Sequence, residues 1–486
     1  MKMMLNVLLV ICLGAVVARA QISNFKHVVV IVQENRTPDN LFQGLCSPPF
    51  GTLASCSTTD PTKYDIQIKG WLDKTSGTGV TDPKGVMLAN AYDLSHQHAA
   101  FTAMCDSTGG PGFPACQMDG AAGIKCNGTC LSQPQFRFVT NTNGILNPYL
   151  ELATQYGWAN LMFQTNQGPS FPAHQFLFGG TSAPSAEDDA KGIFAAENMS
   201  TTLNPPPPHL VAGCTADSTT RVKLIMPPDD ESQSVYPCFE HQTMADLLTS
   251  NSTNNPLTWR YYTPGPGSIW TAPNAIQHIC QSSGPGGTCT GQQWTDNVDL
   301  NPSDVLRDIG SCNLRSVSWV IPTGQNSDHA KSNDGGGPSW VASIVNAIGG
   351  NTTCDTDGYW KDTAIFITWD DWGGWYDHEP PTILAEPQGD YQYGFRVPLL
   401  VVSAYTAQGL INGHRHDFGS ILRFIEHNFS LPLGGLHFAD ERATNDLTLF
   451  FDLTQPARTF TNISAAKSAK FFLKDKRKPT DPDDDQ

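Results

Sequence analysis

Basic side chains are scarce in this sequence, and their scarcity narrows the possible functions. The 486 residues contain 29 Lys and Arg against 46 Asp and Glu, which gives a formal net charge of −17 at pH 7. A protein that grips a nucleic-acid backbone needs clustered positive charge, so this balance argues against a nucleic-acid partner. An anionic substrate would need a locally positive site inside a negative protein.

Long apolar runs are also missing after the first twenty residues. At the start of the chain, Lys2 precedes the apolar stretch LNVLLVICLGAVV, and small residues stand at Ala18 and Ala20. This pattern is typical of a secretory signal peptide, residues 1–20, that is cleaved after Ala20. Because no later run approaches the roughly 20 residues of a membrane-spanning helix, we expect a mature chain without an integral membrane segment. We expect it to be exported, either to a periplasm or to the cell exterior.

Paired C-x2-C elements, which would indicate a zinc cluster, are absent as well. Of the 13 cysteines, Cys12 lies in the predicted signal peptide, so an even number remains in the mature chain. An even number in an exported protein indicates disulfides, and free buried thiols are the alternative. The shortest spacings suggest these local pairs: Cys46/Cys56, Cys105/Cys116, Cys126/Cys130 and Cys280/Cys289.

Several apolar, β-branched runs are typical of buried strands in a parallel sheet. Helical patterns lie between them, for example at 338–350 and 418–429. This alternation predicts an α/β sandwich with a central, mainly parallel sheet. The predicted strands are 27–33, 157–163, 257–262, 316–322, 363–369 and 397–403.

We predict one large domain, with no internal repeat. Loop-rich segments at about 46–145, 181–240 and 263–300 lack a periodic core of their own, so they are interpreted as insertions. The domain is expected to span residues 21–464. The charged end of the chain, residues 465–486, is predicted to be disordered.

Two adjacent carboxylates, Asp370 and Asp371, directly follow the predicted strand 363–369. Carboxylates held together repel, and both stay ionised only if a positive charge lies between them. Glu34 and Asn35 follow the first predicted strand in the same way. Ligands of open α/β sheets bind beyond the carboxyl ends of strands, and these oxygen ligands suit a divalent cation. A solvated turn and a surface carboxylate are the alternatives.

Ser170 lies in the stretch GPSFPAHQFLFGG, just before Pro172 and an apolar helical pattern. Serine is favoured at a helix N-cap and proline in the first turn. The N–H groups and the positive dipole end of such a helix favour an alkoxide and a bound phosphate. A serine that only caps the helix is the alternative.

Several motifs in this order resemble a known family. The chain is similar to the phosphoesterase family that contains bacterial phospholipases C and respiratory-burst-inhibiting acid phosphatases. The resemblance covers roughly residues 25–450 and implies an alkaline-phosphatase-like α/β fold. The motifs are HVVVIVQENRTPDNLF, YDLSHQH, QMDGA, NQGPSFPAHQFLFGGTS, NAIQHI, SDHAKSNDGGGPSWVASIVNAIG, TAIFITWDDWGGWYDHEPP, YGFRVPLLVVSAY and HDFGSILRFIEHNF.

The resemblance implies a site for one divalent metal ion of unspecified identity. Glu34 and Asn35 match the first metal-binding pair of the family, and Asp370 and Asp371 match the second. Ser170 matches the nucleophile, which also contacts the metal.

The resemblance also implies roles for three histidines. His96 matches a histidine of the phosphate pocket, and His278 and His329 look like the other two. Asp377 and His378 match a motif that is expected to support the site indirectly. Histidines that donate to phosphate oxygens need to be protonated, which would favour a mildly acidic pH.

The implied function is hydrolysis of phosphate esters through a phosphoserine intermediate, as in an acid phosphatase. Threonine is common at the nucleophile position of the phospholipase C members, so Ser170 looks more like the acid-phosphatase branch. A phospholipase C that releases phospholipid head groups is the first alternative. A sulfatase-like enzyme is disfavoured, because no C/S-x-P-x-R motif surrounds Ser170. A catalytically inactive, exported binding protein would be expected to have lost a ligand, and every expected ligand is present.

Overall fold

An eight-stranded sheet forms the centre of the molecule. The computed structural model describes residues 25–107, 115–205, 207, 209–227, 230–250, 257–384, 391–432 and 434–479, so the predicted signal peptide lies outside the described residues. The strands, in chain order, are β1 (His27–Gln33), β2 (Trp71–Leu72), β3 (Val80–Thr81), β4 (Lys84–Val86), β5 (Tyr92–Leu94), β6 (Cys126–Gly128), β7 (Arg137–Val139), β8 (Gly157–Met162), β9 (Phe194–Thr201), β10 (Thr220–Ile225), β11 (Ser234–Val235), β12 (Trp259–Tyr262), β13 (Val298–Asp299), β14 (Val317–Val320), β15 (Thr363–Trp369), β16 (Leu399–Val402) and β17 (Leu410–His416).

The central sheet has the order β13-β12-β14-β1-β15-β16-β8-β17. All neighbouring pairs are parallel except those made by β16, which runs antiparallel to β15 and to β8. The predicted α/β fold with a mainly parallel sheet is confirmed. The parallel direction expected for the run 397–403 is wrong. An apolar run indicates that a strand is buried on both faces of the sheet, and all four residues of β16 are buried. It carries no information on whether the strand runs parallel or antiparallel to its neighbours.

Helices pack around this sheet in two groups. One group contains α3 (Asn147–Gln155), α9 (Asp304–Gly310), α10 (Gly337–Gly350) and α13 (Ala469–Lys474). The other contains α4 (Ser170–Gly179), α6 (Met244–Ser250), α11 (Phe418–Phe429) and α12 (His437–Arg442). Trp319 of β14 donates its indole N–H to Leu177 O of α4, and Phe366 of β15 packs edge-on against Phe424 of α11. The helices, in chain order, are α1 (Pro38–Leu41), α2 (His98–Cys105), α3 (Asn147–Gln155), α4 (Ser170–Gly179), α5 (Ala186–Ala190), α6 (Met244–Ser250), α7 (Gln277–Cys280), α8 (Gln292–Asn297), α9 (Asp304–Gly310), α10 (Gly337–Gly350), α11 (Phe418–Phe429), α12 (His437–Arg442) and α13 (Ala469–Lys474).

The loop-rich segments share the main hydrophobic core. Trp71, Leu224 and Ile279 each come from a different predicted insertion, and all three are buried in the same cluster as β1 and β15. Within the described residues, no helix combines the length and the apolar character needed to cross a membrane.

The end of the chain differs from the expectation of disorder over 465–486. Helix α13 lies in that segment, and Phe472 within it is fully buried against Trp340 of α10. Two adjacent phenylalanines among lysines give the segment a small apolar face, which the charge count of the tail obscured.

Five disulfides each lie within a single loop-rich segment, and the sixth, Cys312–Cys354, lies outside those segments. The four predicted local pairs are confirmed. Two further bridges, Cys214–Cys238 and Cys312–Cys354, join cysteines that are farther apart in the sequence.

The Cys312–Cys354 bridge should stabilise the fold more than the Cys126–Cys130 bridge. The two bridges span sequence separations of 42 and 4 residues, and a longer closed loop removes more entropy from the unfolded chain. Replacing both cysteines of the long bridge with alanine should lower the free energy of unfolding by about 2 kcal/mol more than the same change at the short bridge. Urea unfolding of the two double variants measures this difference, and equal losses would contradict the loop-entropy account.

Candidate active site

The carboxyl ends of β1 and β15 bring the two predicted acidic segments together. The two strands are parallel neighbours, and Gln33 is in register with Trp369. Glu34 and Asp370 therefore leave the sheet side by side. The backbone N–H of Asn35 donates to Asp370 Oδ1 at 3.0 Å, which joins the two segments directly.

The side-chain amide of Asn35 has a defined orientation. His96 Nδ1 lies 2.9 Å from Leu94 O, a contact in which Nδ1 carries the proton. His96 Nε2 is then an acceptor, and Asn35 Nδ2 donates to it at 3.0 Å. Asn35 Oδ1 consequently points away from His96, and it forms no hydrogen bond among the described residues.

Negative charge at this point is buried, and among the described residues no Lys or Arg forms an ion pair with Glu34, Asp370 or Asp371. Burial, and then the charge of Asp370, raise the pKa of Glu34 and that of Asp371 well above their ordinary values. Both carboxylate oxygens of Glu34, and Asp370 Oδ2, form no hydrogen bond within the described parts of the chain. The neighbouring guanidinium of Arg36 donates instead to Asp328 O and Asn40 Oδ1.

These orphaned oxygens fit a divalent cation. Buried acceptors without a donor are costly, and a cation satisfies several of them at once. Carboxylate and amide oxygens are the ligands expected for such an ion. The structure thus brings Glu34, Asn35, Asp370 and Asp371 together, in the way that the sequence motifs predict.

Two glycines allow the chain to turn tightly beside these carboxylates. Gly373 and Gly374 have φ values of 63° and 74°, which favour glycine. A Cβ on Gly373 would lie 2.4 Å from Asn35 O, and one on Gly374 would lie 2.5 Å from Leu94 Cβ. A side chain at position 373 would push the Asp371 segment away from Asn35, and one at position 374 would push it away from Leu94.

Ser170 is the first residue of α4 and lies next to the acidic pair. Its Oγ donates to Asp371 Oδ2 at 3.2 Å, and the side chain is 1% exposed. Pro169, and not Ser170, occupies the N-cap position. The N–H of Phe171 is already bound to Asn198 Oδ1, and Pro172 has none, so the first turn offers fewer free donors than the sequence indicated.

His174 is a residue of this site that the sequence interpretation missed. It lies one turn after Ser170 on α4, and it is fully buried. Its Nε2 lies 3.4 Å from Glu34 Oε1 and 3.7 Å from Asp370 Oδ2. Burial lowers the pKa of His174 to about 4. The i, i+4 spacing of Ser170 and His174 was the available signal, because residues four apart share a helix face.

Two of the three predicted pocket histidines lie near each other. The rings of His96 and His329 are 6.1 Å apart, and both side chains are buried. His96 Nε2 lies 3.9 Å from Asp371 Oδ2, and His329 lies against the indole of Trp270. Burial lowers the pKa of His96, which works against the protonated donor that the sequence motifs implied.

His278 has different surroundings. It is 31% exposed on α7, and its two ring nitrogens lie 2.7 Å from Glu240 Oε1 and 2.9 Å from Asp246 Oδ1. Hydrogen bonding to Asp246 is the main cause that raises its pKa to about 9. None of the contacts in the described structure joins His278 to Ser170.

Asp377 and His378 belong to a buried ionic cluster behind the turn. Asp377 accepts from Arg396 Nε at 2.7 Å, and His378 lies between Asp39 and Asp65 at 2.8 and 3.0 Å. Burial acts to lower the pKa of His378, but Asp39 and its hydrogen bond outweigh it and raise the pKa to about 10. Arg396 and His378 already pair with these carboxylates, so this cluster contains the positive side chains that the Glu34 site lacks.

A cavity of about 540 Å³ lies beside the segment that leads into α4. Asn166, Gln167 and Gly168 line part of it, two residues before Ser170. Much of the remaining lining is apolar or aromatic, including Phe176, Phe194, Met226, Tyr391 and Phe438. The cavity therefore borders the loop before α4, and Ser170 itself does not line it.

Comparisons with known proteins identify the family of this chain. A model of the Phosphoesterase family matches residues 25–432. Phospholipase C A of Mycobacterium tuberculosis is 23% identical over an alignment of 486 residues, covering 93% of this chain and 82% of that protein. Hemolytic phospholipase C of Pseudomonas aeruginosa is 22% identical, covering 92% of this chain and 59% of that protein.

Likeness to solved structures is weaker. A protein of the alkaline phosphatase superfamily from Vibrio parahaemolyticus aligns with 64% of this chain and 64% of its own, at 11% identity and a TM-score of 0.34. That score is too low to support an argument about this site. The family match extends over most of the sequence and includes Glu34, Ser170 and Asp370. The chain belongs to the Phosphoesterase family, and it is a hydrolase that acts on phosphoric ester bonds.

Proposed function

We propose that this chain hydrolyses phosphate esters by transferring the phosphoryl group to Ser170 Oγ. One observation carries the proposal: a buried serine at the start of α4 donates to Asp371 beside unpartnered oxygens of Glu34, Asn35 and Asp370. A nucleophile next to a cation site is the arrangement that covalent phosphoryl transfer needs.

The residues of the proposed site have two roles, binding of a cation and orientation of the serine hydroxyl. Glu34, Asn35, Asp370 and Asp371 would hold one divalent cation. When bound, the cation lowers the pKa of the serine hydroxyl and neutralises charge on a phosphoryl oxygen. The hydrogen bond from Ser170 Oγ to Asp371 fixes the direction of the hydroxyl.

The reaction then takes two displacements. Ser170 Oγ bonds to phosphorus while the bond from phosphorus to the departing alcohol breaks on the opposite side, and the alcohol takes up a proton. Water next attacks the phosphoserine, which releases the phosphate and restores the hydroxyl. His329, whose ring centroid lies 6.1 Å from that of His96, would contact the phosphoryl oxygens, while His96 orients the Asn35 amide. Positioning of this kind is most of what phosphoryl transfer requires.

A phospholipase C activity is the second candidate, and two observations favour it. The similar proteins described above are named phospholipases C. The largely apolar cavity of about 540 Å³ beside Gly168 would accept part of the apolar alcohol of a phospholipid. An acid phosphatase acting on small monoesters, the first expectation from Ser170, has the serine motif in its favour.

The disulfides fit an exported protein, and we propose export to a periplasm or the cell exterior.

Ser170→Ala should lower turnover at least about 1000-fold, because the covalent route is lost. The assay uses two substrates, the monoester nitrophenyl phosphate and the diester nitrophenyl phosphorylcholine. Preference for the monoester indicates a phosphatase, and preference for the diester indicates a phospholipase C. Ser343→Ala is the matched control, since Ser343 is a buried serine whose side chain, among the described residues, hydrogen-bonds to Trp340 O alone, within α10. Near-normal turnover of the Ser170 variant would remove Ser170 as the nucleophile.

Removal of bound metal should abolish activity and destabilise the fold. Without a cation, Glu34 and Asp370 face each other with no compensating charge, whereas a cation at 1,000 times its Kd stabilises the folded chain by about 4 kcal/mol. Dialysis against a strong chelator, metal analysis and thermal unfolding on the same sample measure both effects. A divalent ion added back should restore them, and full activity without bound metal would contradict the cation site.

His278→Gln should reduce stability in a pH-dependent way. The folded pKa is raised to about 9, above the ordinary value, so the stabilising ion pairs are complete below about pH 6.5 and are lost as the pH rises through 9. The variant should lose about 0.5–1 kcal/mol at pH 6 and close to nothing at pH 10, measured by urea unfolding. An equal loss at both pH values would contradict this role, and a large fall in turnover would support the pocket role implied by the sequence motifs.

A further inference from the structure

His174 reaches into the centre of the acidic site. Its side chain is fully buried, and Nε2 forms no hydrogen bond among the described residues although Glu34 Oε1 and Asp370 Oδ2 lie within 3.7 Å. The ring lies at 29° to that of Trp270, with centroids 6.4 Å apart. The three residues place one ligand atom each within 4.8 Å of one another.

The hydrogen bonds of the other ring nitrogen define the tautomer of His174. Tyr261 OH donates its single proton to Trp270 O at 2.8 Å. The phenol oxygen is therefore an acceptor toward His174 Nδ1, which lies 3.3 Å away and must carry the proton. Nε2 is left with a lone pair that faces two carboxylates.

A lone pair and two carboxylates repel one another unless a cation lies between them. A neutral imidazole whose second nitrogen donates to a fixed acceptor is the usual form of a metal-bound histidine. We propose that His174 is a further ligand of the cation of the proposed function, with Tyr261 orienting its ring. This inference rests on that function, because it takes the same cation site as given.

The added nitrogen changes which cation the site prefers. Carboxylate and amide oxygens alone suit Mg²⁺, Ca²⁺ or Mn²⁺, whereas imidazole suits Zn²⁺ and its first-row neighbours. With His174 beside Glu34, Asn35 and Asp370, the ligands are a mixture of nitrogen and oxygen. The site therefore selects a transition-metal ion such as Zn²⁺ over Mg²⁺.

The experiment measures metal binding, with no substrate present. The full chain is stripped with a chelator and titrated with Zn²⁺ and with Mg²⁺ by calorimetry, and the zinc-loaded form is analysed by X-ray absorption at the zinc edge. His174→Gln should weaken Zn²⁺ binding more than about 100-fold and remove one imidazole from the zinc spectrum, a larger loss than an indirect contact gives. Binding of Mg²⁺ should change much less.

Two further variants make the result specific. Tyr261→Phe keeps His174 but removes its acceptor, and it should weaken Zn²⁺ binding about 10-fold. His241→Gln is the matched control, since His241 is a buried histidine packed against Gly179 at the other end of α4, and it should leave Zn²⁺ binding unchanged. If His174→Gln does not fold, the Tyr261 variant and the imidazole signal of the wild-type protein decide the question.

The outcomes separate this inference from the proposed function. If the wild-type protein binds Zn²⁺ but His174→Gln binds it within about threefold as tightly, His174 is an ion-pair partner of the carboxylates and the inference fails alone. A wild-type zinc spectrum without imidazole has the same meaning. If the active wild-type protein binds no divalent ion at all, the cation site of the proposed function fails with it.

Discussion

Burial of several carboxylates at one edge of the sheet is the constraint on which the site depends. Glu34 and Asp370 leave adjacent parallel strands in register, and the surrounding side chains exclude water from both. Such a group is tolerable only if charge is neutralised locally. The guanidinium groups of Arg36 and Arg396 are bound elsewhere, so among the described residues neither of them neutralises the charge of Glu34 and Asp370.

The second buried cluster makes the contrast clear. Asp39 and Asp377 are equally hidden and the Asp65 side chain is only 13% exposed, but Arg396 and His378 pair with them and compensate most of the negative charge. It anchors the segment that follows the two glycines, so the position of Asp371 is held from both sides of the turn. The cluster around Asp377 thus has basic side chains paired with its carboxylates, while the cluster around Asp370, a few residues earlier in the chain, has unpartnered carboxylate oxygens.

Sequence patterns predicted the parts of the site that lie at the ends of strands. The strands 27–33 and 363–369 were predicted with their exact limits, because all seven residues of each are buried and apolar patterning marks such strands plainly. Because the strand ends were predicted correctly, Glu34, Asn35, Asp370 and Asp371 were also placed correctly, directly after those ends. Strand β17 was missed, since LINGHRH at the sheet edge carries polar residues and lacks an apolar run.

Contacts between distant segments were beyond the reach of these patterns. The direction of β16 depends on how the chain returns from the glycine turn, and its composition carries no such information. His174 acquires its surroundings only when α4 approaches Tyr261 and Glu34. The ion pairs of His278 likewise depend on Glu240 and Asp246, which lie more than thirty residues earlier in the chain.

The hydrogen bond between Asn35 and Asp370 spans 335 residues of sequence. Half of the proposed ligand set is therefore made early in synthesis and half much later. The proposed cation would bind only after β15 has joined β1, which is a late step for a protein made from its N-terminus. On that proposal, the metal would be decided by the compartment in which the chain folds, and not by the compartment in which it is translated.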